Sequence, residues 1–229
     1  MALILSIESA TSICSVALHR EGKLLRLSEL DQENTHAKQL MLLVEGMFNE
    51  SGLKPSDLSA VAISSGPGSY TGLRIGVSVA KGLAFAFNIP LIAVDTLEAL
   101  AFQAFPLSGL NDFVIPLLDA RRMEVYTSIF GFDGKLIESS HPLEIEGNPF
   151  LNYLNTSKVF FLGDGLKKLL DILDHENSIF LPNLNSASSI GFLAYKKFIN
   201  KSFEDIAYFE PNYLKEFRVL ASKKNPLLI

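Results

Sequence analysis

The sequence predicts an α/β protein made of two similar halves. The first half opens with an apolar strand that ends at Glu8, followed by a second strand and a tight turn that ends at Gly22. The second half repeats this order at nearly the same offset, with a strand that ends at Asp119 and a turn that ends at Gly134. Self-similarity at a fixed offset indicates an internal duplication. An acidic residue before glycine, between two apolar segments, is typical of a β-hairpin turn.

Helices alternate with short strands after each hairpin. In the first half, apolar periodicity predicts strands at Ala60–Ser64 and Leu91–Val94 and helices near 36–48, 72–86 and 97–105. In the second half it predicts a strand at 158–162 and helices at 166–173 and 188–198. Three strands followed by helix, strand and helix, twice over, is the plan of the actin-like (ASKHA, ribonuclease H-like) fold. We therefore predict two βββαβα-type halves.

We assign residues 1–107 to an N-terminal half and residues 108–229 to a C-terminal half. The boundary falls in a short, turn-forming stretch, and the last helix and the tail are candidates for packing back on the N-terminal half. With 229 residues and 48% hydrophobic content, the chain has enough apolar material for a sizeable core.

Composition and charge exclude several classes of function. A net charge of −5 gives no overall positive field, so an RNA substrate would need a partner to hold it. The single cysteine, Cys14, rules out an intramolecular disulfide and a zinc site built from cysteines. The apolar first residues are interrupted by Glu8 and indicate a strand, not a signal peptide, and no apolar run reaches the roughly 18 residues that cross a bilayer. We expect a cytoplasmic protein without membrane contact.

One face of the predicted helix at 72–86 is unusually poor in bulky side chains. Gly72, Gly76, Ala80 and Ala84 recur at every fourth position, which places them on one side of a helix. Each interior glycine costs a helix about 1 kcal/mol relative to alanine, so another interaction must offset that cost. We interpret this smooth stripe as a surface that another backbone approaches closely, either in the same chain or in a partner.

The turn before this helix contains Gly66, Pro67 and Gly68, and Gly72 follows. A dinucleotide-binding fingerprint requires Gly-x-Gly-x-x-Gly. Here the last glycine comes one residue too late, and Pro67 removes a backbone donor. A Walker loop is excluded because no Gly-Lys-Ser/Thr follows. A tight structural turn is the better interpretation.

In the actin-like fold ATP lies between the halves, and the two hairpins supply the phosphate-binding loops. The corresponding segments here contain Glu8 and Thr11 in the first half and Asp119 in the second half. Neither segment has the expected glycine, and Ala10 adds a methyl group where backbone must approach phosphate. These residues are therefore candidates for lying near a nucleotide without matching the usual loop.

Two other polar groups have two interpretations each. The turn formed by Gly163, Asp164 and Gly165 could touch a phosphate or only connect a strand to a helix. Arg121 and Arg122 could hold a phosphate or lie exposed at the start of a hairpin. In both cases the structural interpretation is the more common one.

Three sequence segments together resemble one known family. They are Ile-Glu-Ser-Ala-Thr-Ser from residue 7, Ser-Gly-Pro-Gly-Ser-Tyr-Thr-Gly-Leu-Arg-Ile-Gly from residue 65, and Pro-Asn-Tyr-Leu-Lys from residue 211. They look like the TsaB (YeaZ) family, and the resemblance covers most of the chain. Two positions depart conservatively from the family pattern, which usually has Asp at the position of Glu8 and Arg at the position of Lys215.

The resemblance implies a subunit of the machinery that makes threonylcarbamoyladenosine in tRNA, and a catalytically inactive paralogue of the catalytic subunit TsaD. TsaD carries a His-x-x-x-His metal site on a helix, and Thr96 and Leu100 stand at the matching positions here. Leucine cannot bind a metal, so the resemblance implies no catalytic residue and no metal site in this chain. Thr96 has a structural role available as a helix N-cap. Four histidines have no ligand spacing and are expected to be surface or capping residues, namely His19, His36, His141 and His175.

The resemblance also implies partners. It places the contact with a TsaD-like subunit on the helices at 36–48 and 72–86, and a homodimer can use the same helices. It assigns ATP and metal to partner subunits, among them a TsaE-like ATPase, so this chain alone binds no cofactor. It implies that tRNA is bound only through the complex. Lys223 and Lys224 in the tail could help to position tRNA, but a solvated tail is the more common interpretation. The residues assigned to the partner surface are His36, Leu40, Leu43, Met47, Tyr70, Gly72, Leu73, Gly76 and Ala80.

The leading hypothesis is a non-catalytic scaffold or activator needed for threonylcarbamoyl transfer to the adenosine next to the anticodon of tRNA. It predicts that Gly72→Leu or Gly76→Leu destroys heterodimer formation while leaving the monomer folded. The alternative is a stand-alone ATP-binding kinase or hydrolase of the actin-like type, which would keep the glycines of its phosphate loops. A metallopeptidase-like hydrolase is disfavoured by Thr96 and Leu100.

Overall fold

The computed structural model describes residues 1–31 and 36–215, which form two five-stranded sheets; Lys223 and Lys224 lie outside these residues. The strands of the first sheet are Leu3–Glu8 (β1), Ile13–Arg20 (β2), Lys23–Asp31 (β3), Ala60–Ser64 (β4) and Leu91–Val94 (β5). Those of the second sheet are Phe113–Asp119 (β6), Glu124–Gly131 (β7), Leu136–Glu144 (β8), Val159–Leu162 (β9) and Ser178–Leu181 (β10).

The two sheets have the same topology. The strand orders are β3-β2-β1-β4-β5 and β8-β7-β6-β9-β10. In each sheet the first three strands along the chain pair antiparallel, and the other two run parallel to the first strand. The internal duplication predicted from the sequence is therefore present in the fold.

Helices connect and cover the strands. The α-helices in the described part of the chain are His36–Ser51 (α1), Tyr70–Phe87 (α2), Thr96–Ala101 (α3), Leu151–Leu154 (α4) and Ala187–Ile199 (α5). The ends of α2 are fixed by local chemistry. The Ser69 side chain accepts a hydrogen bond from the backbone of Gly72, and Asn88 ends the helix in the left-handed region at φ 51°.

The first sheet is buried on both faces along β1, β2, β4 and β5, whereas its edge strand β3 is mostly exposed. Because successive residues of a strand point to opposite faces, Leu5 and Ile7 pack against α1 and α2, whereas Ile4 packs with α3 and α5. Helix α5 comes late in the chain, yet it lies against β1 and β2 of the first sheet. Burial on both faces explains why β1 and β4 are almost continuously apolar.

Helix α3 lies between the two sheets. Its Ala99 belongs to the core formed with the first sheet and α5. Its Leu97 and Leu100 belong to a core formed with Val114 and Leu118 of β6. The helix therefore contributes to both halves at once.

The smooth stripe of α2 faces the chain's own β1–β2 turn and first sheet. Gly72, Gly76, Ala80 and Ala84 are all buried. A Cβ atom at Gly72 would collide with the carbonyl oxygen of Ser9, and one at Gly76 would collide with the Ser9 hydroxyl. The stripe is thus unavailable to a partner. The expectation that a leucine at either glycine leaves the monomer folded is wrong.

The prediction of a helix at 166–173 is also wrong. A short 3-10 helix, Asp164–Lys168, and a series of turns bury Leu166, Leu169 and Leu173 at the spacing that suggested an α-helix. No side chain caps this segment, and short helices without external support are marginal in water. Strand β10 and helix α4 of the same half were not predicted.

We expect Gly76→Ala to lower the free energy of unfolding by about 1–3 kcal/mol, because the added methyl group overpacks the contact with Ser9 and approaches Ile63 Cδ1 to 2.9 Å. Urea unfolding would measure the change. The matched control is Gly82→Ala on the same helix, where no atom lies within 4 Å of the new Cβ. That variant should be more stable than wild type by up to about 1 kcal/mol. Equal effects at the two positions would contradict the assignment of the stripe.

Candidate functional site

The carboxylate that ends β1 points into the protein. Glu8 is fully buried, and its Oε1 accepts hydrogen bonds from the Ala10 amide at 2.6 Å and the Ser64 hydroxyl at 2.9 Å. Burial raises the pKa of Glu8 to about 7, although the hydrogen bonds from Ala10 and Ser64 act in the opposite direction. Its neighbour Thr11 accepts a hydrogen bond from the Ile13 amide at 3.3 Å. Both side chains therefore stabilise the β1–β2 turn itself.

The corresponding carboxylate of the second half is exposed and already paired. Asp119 forms an ion pair with Lys168 at 2.7 Å, and its Oδ1 accepts a hydrogen bond from the Arg121 amide at 2.6 Å. The Asp119 amide donates to Asp164 Oδ1 at 2.9 Å. Burial raises the pKa of Asp164, and the hydrogen bond from the Asp119 amide opposes that rise. Arg121 and Arg122 are exposed and have positive φ angles of 66° and 49°.

The glycines of the 163–165 turn are required by packing. Gly163 has a φ of 109°, and a Cβ atom there would collide with the carbonyl oxygen of Leu117. A Cβ atom at Gly165 would lie 2.9 Å from the carbonyl carbon of Leu118. Both glycines thus let the turn lie directly on β6, which is sufficient to explain their presence. The predicted nucleotide-proximal residues are divided between the halves, with Glu8 and Thr11 in the first half and the others in the second half.

Seven of the nine residues predicted to bind a partner are buried inside the chain. They are His36, Leu40, Met47, Gly72, Leu73, Gly76 and Ala80. Only Leu43 and Tyr70 of that set are partly exposed. The apolar faces predicted as a partner surface are instead the faces that cover the first sheet, so these seven assignments are corrected.

Large apolar side chains do lie exposed elsewhere on the same helices. Met41 and Leu42 of α1 are 48% and 58% exposed, and Phe85 of α2 is 80% exposed. We call these three residues the outer face of α1 and α2, two helices that pack side by side. Helical periodicity offered a signal for them, because Phe85 lies off the smooth stripe and Leu42 lies off the line of Leu40, Val44 and Met47.

Helix α3 is capped by Asp95 and not by Thr96. The Asp95 carboxylate accepts hydrogen bonds from the amides of Leu97 and Glu98, both at 2.9 Å. The Thr96 hydroxyl accepts instead from the Gly66 amide at 3.0 Å. Leu100 is fully buried beside Gly163. Of the two positions at which the resemblance implied the metal ligands of TsaD, Thr96 is therefore bonded within the first half and Leu100 packs against the second half.

Two of the four histidines are buried, which corrects their expected surface position. His19 is 1% exposed, and burial lowers its pKa to about 4, so its imidazole is neutral. His36 is also buried. Within residues 1–31 and 36–215, no three His, Cys, Asp or Glu side chains are grouped so that they could hold a metal ion. In the same part of the chain, no helix combines the length and apolar character needed to cross a membrane.

The sequence is similar to proteins whose names refer to the threonylcarbamoyl modification of adenosine in tRNA. A family profile described as TsaD, tRNA N6-adenosine threonylcarbamoyltransferase, matches residues 30–142. The chain is 37% identical over 139 residues to the tRNA threonylcarbamoyladenosine biosynthesis protein TsaB of Bacillus subtilis (strain 168), which covers 61% of this chain and 59% of that protein. It is 39% identical over 123 residues to TsaB of Escherichia coli (strain K12), with 54% and 52% covered. The chain therefore spans about half the length of the curated relatives it matches.

Solved structures extend the similarity over nearly the whole chain. YeaZ from Pseudomonas aeruginosa superposes with a TM-score of 0.80 at 29% identity, covering 93% of this chain and 100% of that one. The activator of 2-hydroxyisocaproyl-CoA dehydratase from Clostridium difficile, solved with bound ADPNP, superposes with a TM-score of 0.50 at 9% identity, covering 89% and 98%. At that identity only the fold is shared. The duplicated actin-like α/β fold predicted from the sequence is confirmed.

The buried Glu8 predicts a pH-dependent stability. Its pKa of about 7 in the folded chain, against 4.5 for an ordinary glutamate, means that the folded state holds the proton more tightly. This stabilisation is fully present below about pH 4.5. As the pH rises through about 7 it is lost, and the free energy of unfolding falls by about 3 kcal/mol in total. Glu8→Gln should therefore remove this part of the pH dependence, as measured by urea unfolding at pH 5 and pH 8.

The control is Asp171→Asn, which neutralises an exposed carboxylate and should keep the wild-type pH dependence. If wild type and Glu8→Gln lose the same free energy of unfolding between pH 5 and pH 8, Glu8 does not carry the effect.

Proposed function

Because the chain is similar to TsaB (YeaZ) proteins in sequence and, over nearly its whole length, in structure, we propose that it is a member of that family and a non-catalytic subunit in the biosynthesis of threonylcarbamoyladenosine in tRNA. It acts by binding a TsaD-like catalytic partner and thereby supports threonylcarbamoyl transfer to the adenosine next to the anticodon. ATP and metal belong to the partner subunits, which include a TsaE-like ATPase, and tRNA is bound through the complex.

The observation that carries the proposal is the apolar outer face of α1 and α2. Met41 and Leu42 of α1 and Phe85 of α2 leave large apolar side chains exposed on two helices that pack against each other, and exposed apolar surface of this kind is what protein interfaces bury. The TsaD profile matches residues 30–142, which include both helices. A TsaD-like protein therefore has counterparts of these helices, and two related surfaces can meet in the self-complementary way of a twofold dimer. The same face would serve a homodimer.

The internal packing supports a non-catalytic role. Leu100 is fully buried, Glu8 is turned into the core, and Gly163 lies against the backbone of β6. Glu8 and Gly163 were predicted to lie near a nucleotide, and Leu100 stands where the resemblance implies a metal ligand of TsaD; each of the three has a packing role. No observation on the described residues favours the alternative of a stand-alone ATP-binding kinase or hydrolase.

Nucleoside mass spectrometry of bulk tRNA tests the proposed pathway. Cells depleted of this protein should lose threonylcarbamoyladenosine, and the wild-type chain should restore it. Unchanged levels after verified depletion would overturn the proposed function.

Charged substitutions on the outer face test the proposed mechanism. We expect Leu42→Glu and Phe85→Glu each to weaken binding to the TsaD-like partner at least about tenfold, because a carboxylate would be buried unpaired at the contact. The free energy of unfolding should change by less than about 0.5 kcal/mol, since both side chains are exposed. Calorimetric titration of the partner measures binding, and the double variant should not restore the modified nucleoside.

The matched control is Leu110→Glu, which alters a side chain 78% exposed in the loop between the halves. It should bind the partner as wild type does. Wild-type affinity in both outer-face variants would show that the partner binds elsewhere.

A further inference from the structure

After α5 the chain passes around the β5 edge of the first sheet, from the face that α5 covers to the face that α1 and α2 cover. Glu204 pairs with Leu91 at the edge of β5, and its amide donates to the Leu91 carbonyl at 2.9 Å. Ile206 and Phe209 then pack on the core beneath α1 and α2. Residues 211–215, which we call the strap, continue past the N-terminus of α2 toward the second half.

The beginning of the strap is held firmly by the first half. The Asn212 amide donates to the Ser65 carbonyl at 2.7 Å. The Asn212 carbonyl oxygen lies so close to Gly66 that a Cβ atom there would be 2.5 Å away, so this contact requires glycine. These contacts involve backbone on both sides and do not depend on a flexible side chain.

Aromatic and cationic side chains extend this contact onto α2. The rings of Tyr70 and Tyr213 lie 4.8 Å apart between centroids. The Arg74 guanidinium lies 4.1 Å from the centroid of the Tyr70 ring, and its Nε donates to the Tyr213 hydroxyl at 3.4 Å. The strap therefore packs directly on the first turns of α2.

The end of the strap reaches the second half through one side chain. Lys215 Nζ forms an ion pair with Glu124 of β7 and donates to the Ala120 carbonyl at 3.4 Å. It also lies 5.6 Å from the centroid of the Tyr126 ring. The Lys215 side chain is 35% exposed, and ion pairs that remain partly in water contribute little and break readily.

We propose that the strap is a conformational latch that biases the angle between the two halves, which the core around α3 holds together, with Lys215 as its releasable end. The backbone contacts of Asn212 keep the strap on the first half, whereas a single ammonium group joins the strap to the second half. Because Tyr213 packs on Tyr70 and Arg74, release of Lys215 changes the surroundings of the α2 N-terminus together with the angle. The latch is a property of this chain alone and does not rest on the proposed function.

Distances between the halves in the isolated full-length chain test the latch. Nitroxide labels on Gly82→Cys of α2 and Arg122→Cys of the β6–β7 turn are both at exposed positions, and Cys14 is fully buried, so it is spared by the label. Pulsed electron–electron double resonance should give one narrow distribution of label-to-label distances when Lys215 is present. In Lys215→Met the population of longer distances should rise about three- to fivefold, the factor that an ion pair of this exposure contributes.

Two further variants complete the test. Glu124→Gln removes the other member of the pair and should reproduce the broadening, even if Lys215→Met folds poorly. Lys168→Met removes a neighbouring lysine whose partners, Asp119 and the Glu124 carbonyl, lie in its own half, and it should keep the narrow distance. Wild-type distributions in both latch variants would overturn the proposal, and so would equal broadening in Lys168→Met.

Discussion

The relation between the two halves depends on the burial of one short helix from both sides. Five of the six residues of α3 are buried, with Ala99 in the core of the first sheet and Leu100 in the core of the second. A helix of this length is not stable by itself, so its order comes from the Asp95 cap and from the two cores. Any change in the angle between the sheets must move α3 or slide one core along it.

Elements of the first half were predictable because their signals are local. The nearly continuous apolar run of β1 and the 3.6-residue period in α1 and α2 follow from which side chains face the core, and α2, predicted at 72–86, extends over Tyr70–Phe87. The identity of the contact on its smooth stripe was not predictable. Small residues show that another group approaches closely, but the approaching atoms belong to Ser9, which is distant in sequence.

In the candidate site, too, the role of a side chain could not be predicted from the local sequence. Asp95 and Thr96 are adjacent and both suit a helix N-cap. Thr96 is engaged by the Gly66 amide and Asp95 is left to cap α3, a division set by tertiary structure. The inward direction of Glu8 likewise depends on Ser64 of a neighbouring strand. In the second half, short irregular segments carry weak local signals, so the 3-10 helix and β10 were missed.

The position of α5 has a consequence for synthesis of the chain on the ribosome. Ile190 and Leu193 of α5 cover Ile4 and Ile92 of the first sheet, so one face of that sheet stays apolar and uncovered until α5 has emerged. Contacts between such distant parts of a chain form late in folding, and uncovered apolar faces invite aggregation meanwhile. The N-terminal half therefore cannot complete its fold until residues 187–199 of α5 have been made.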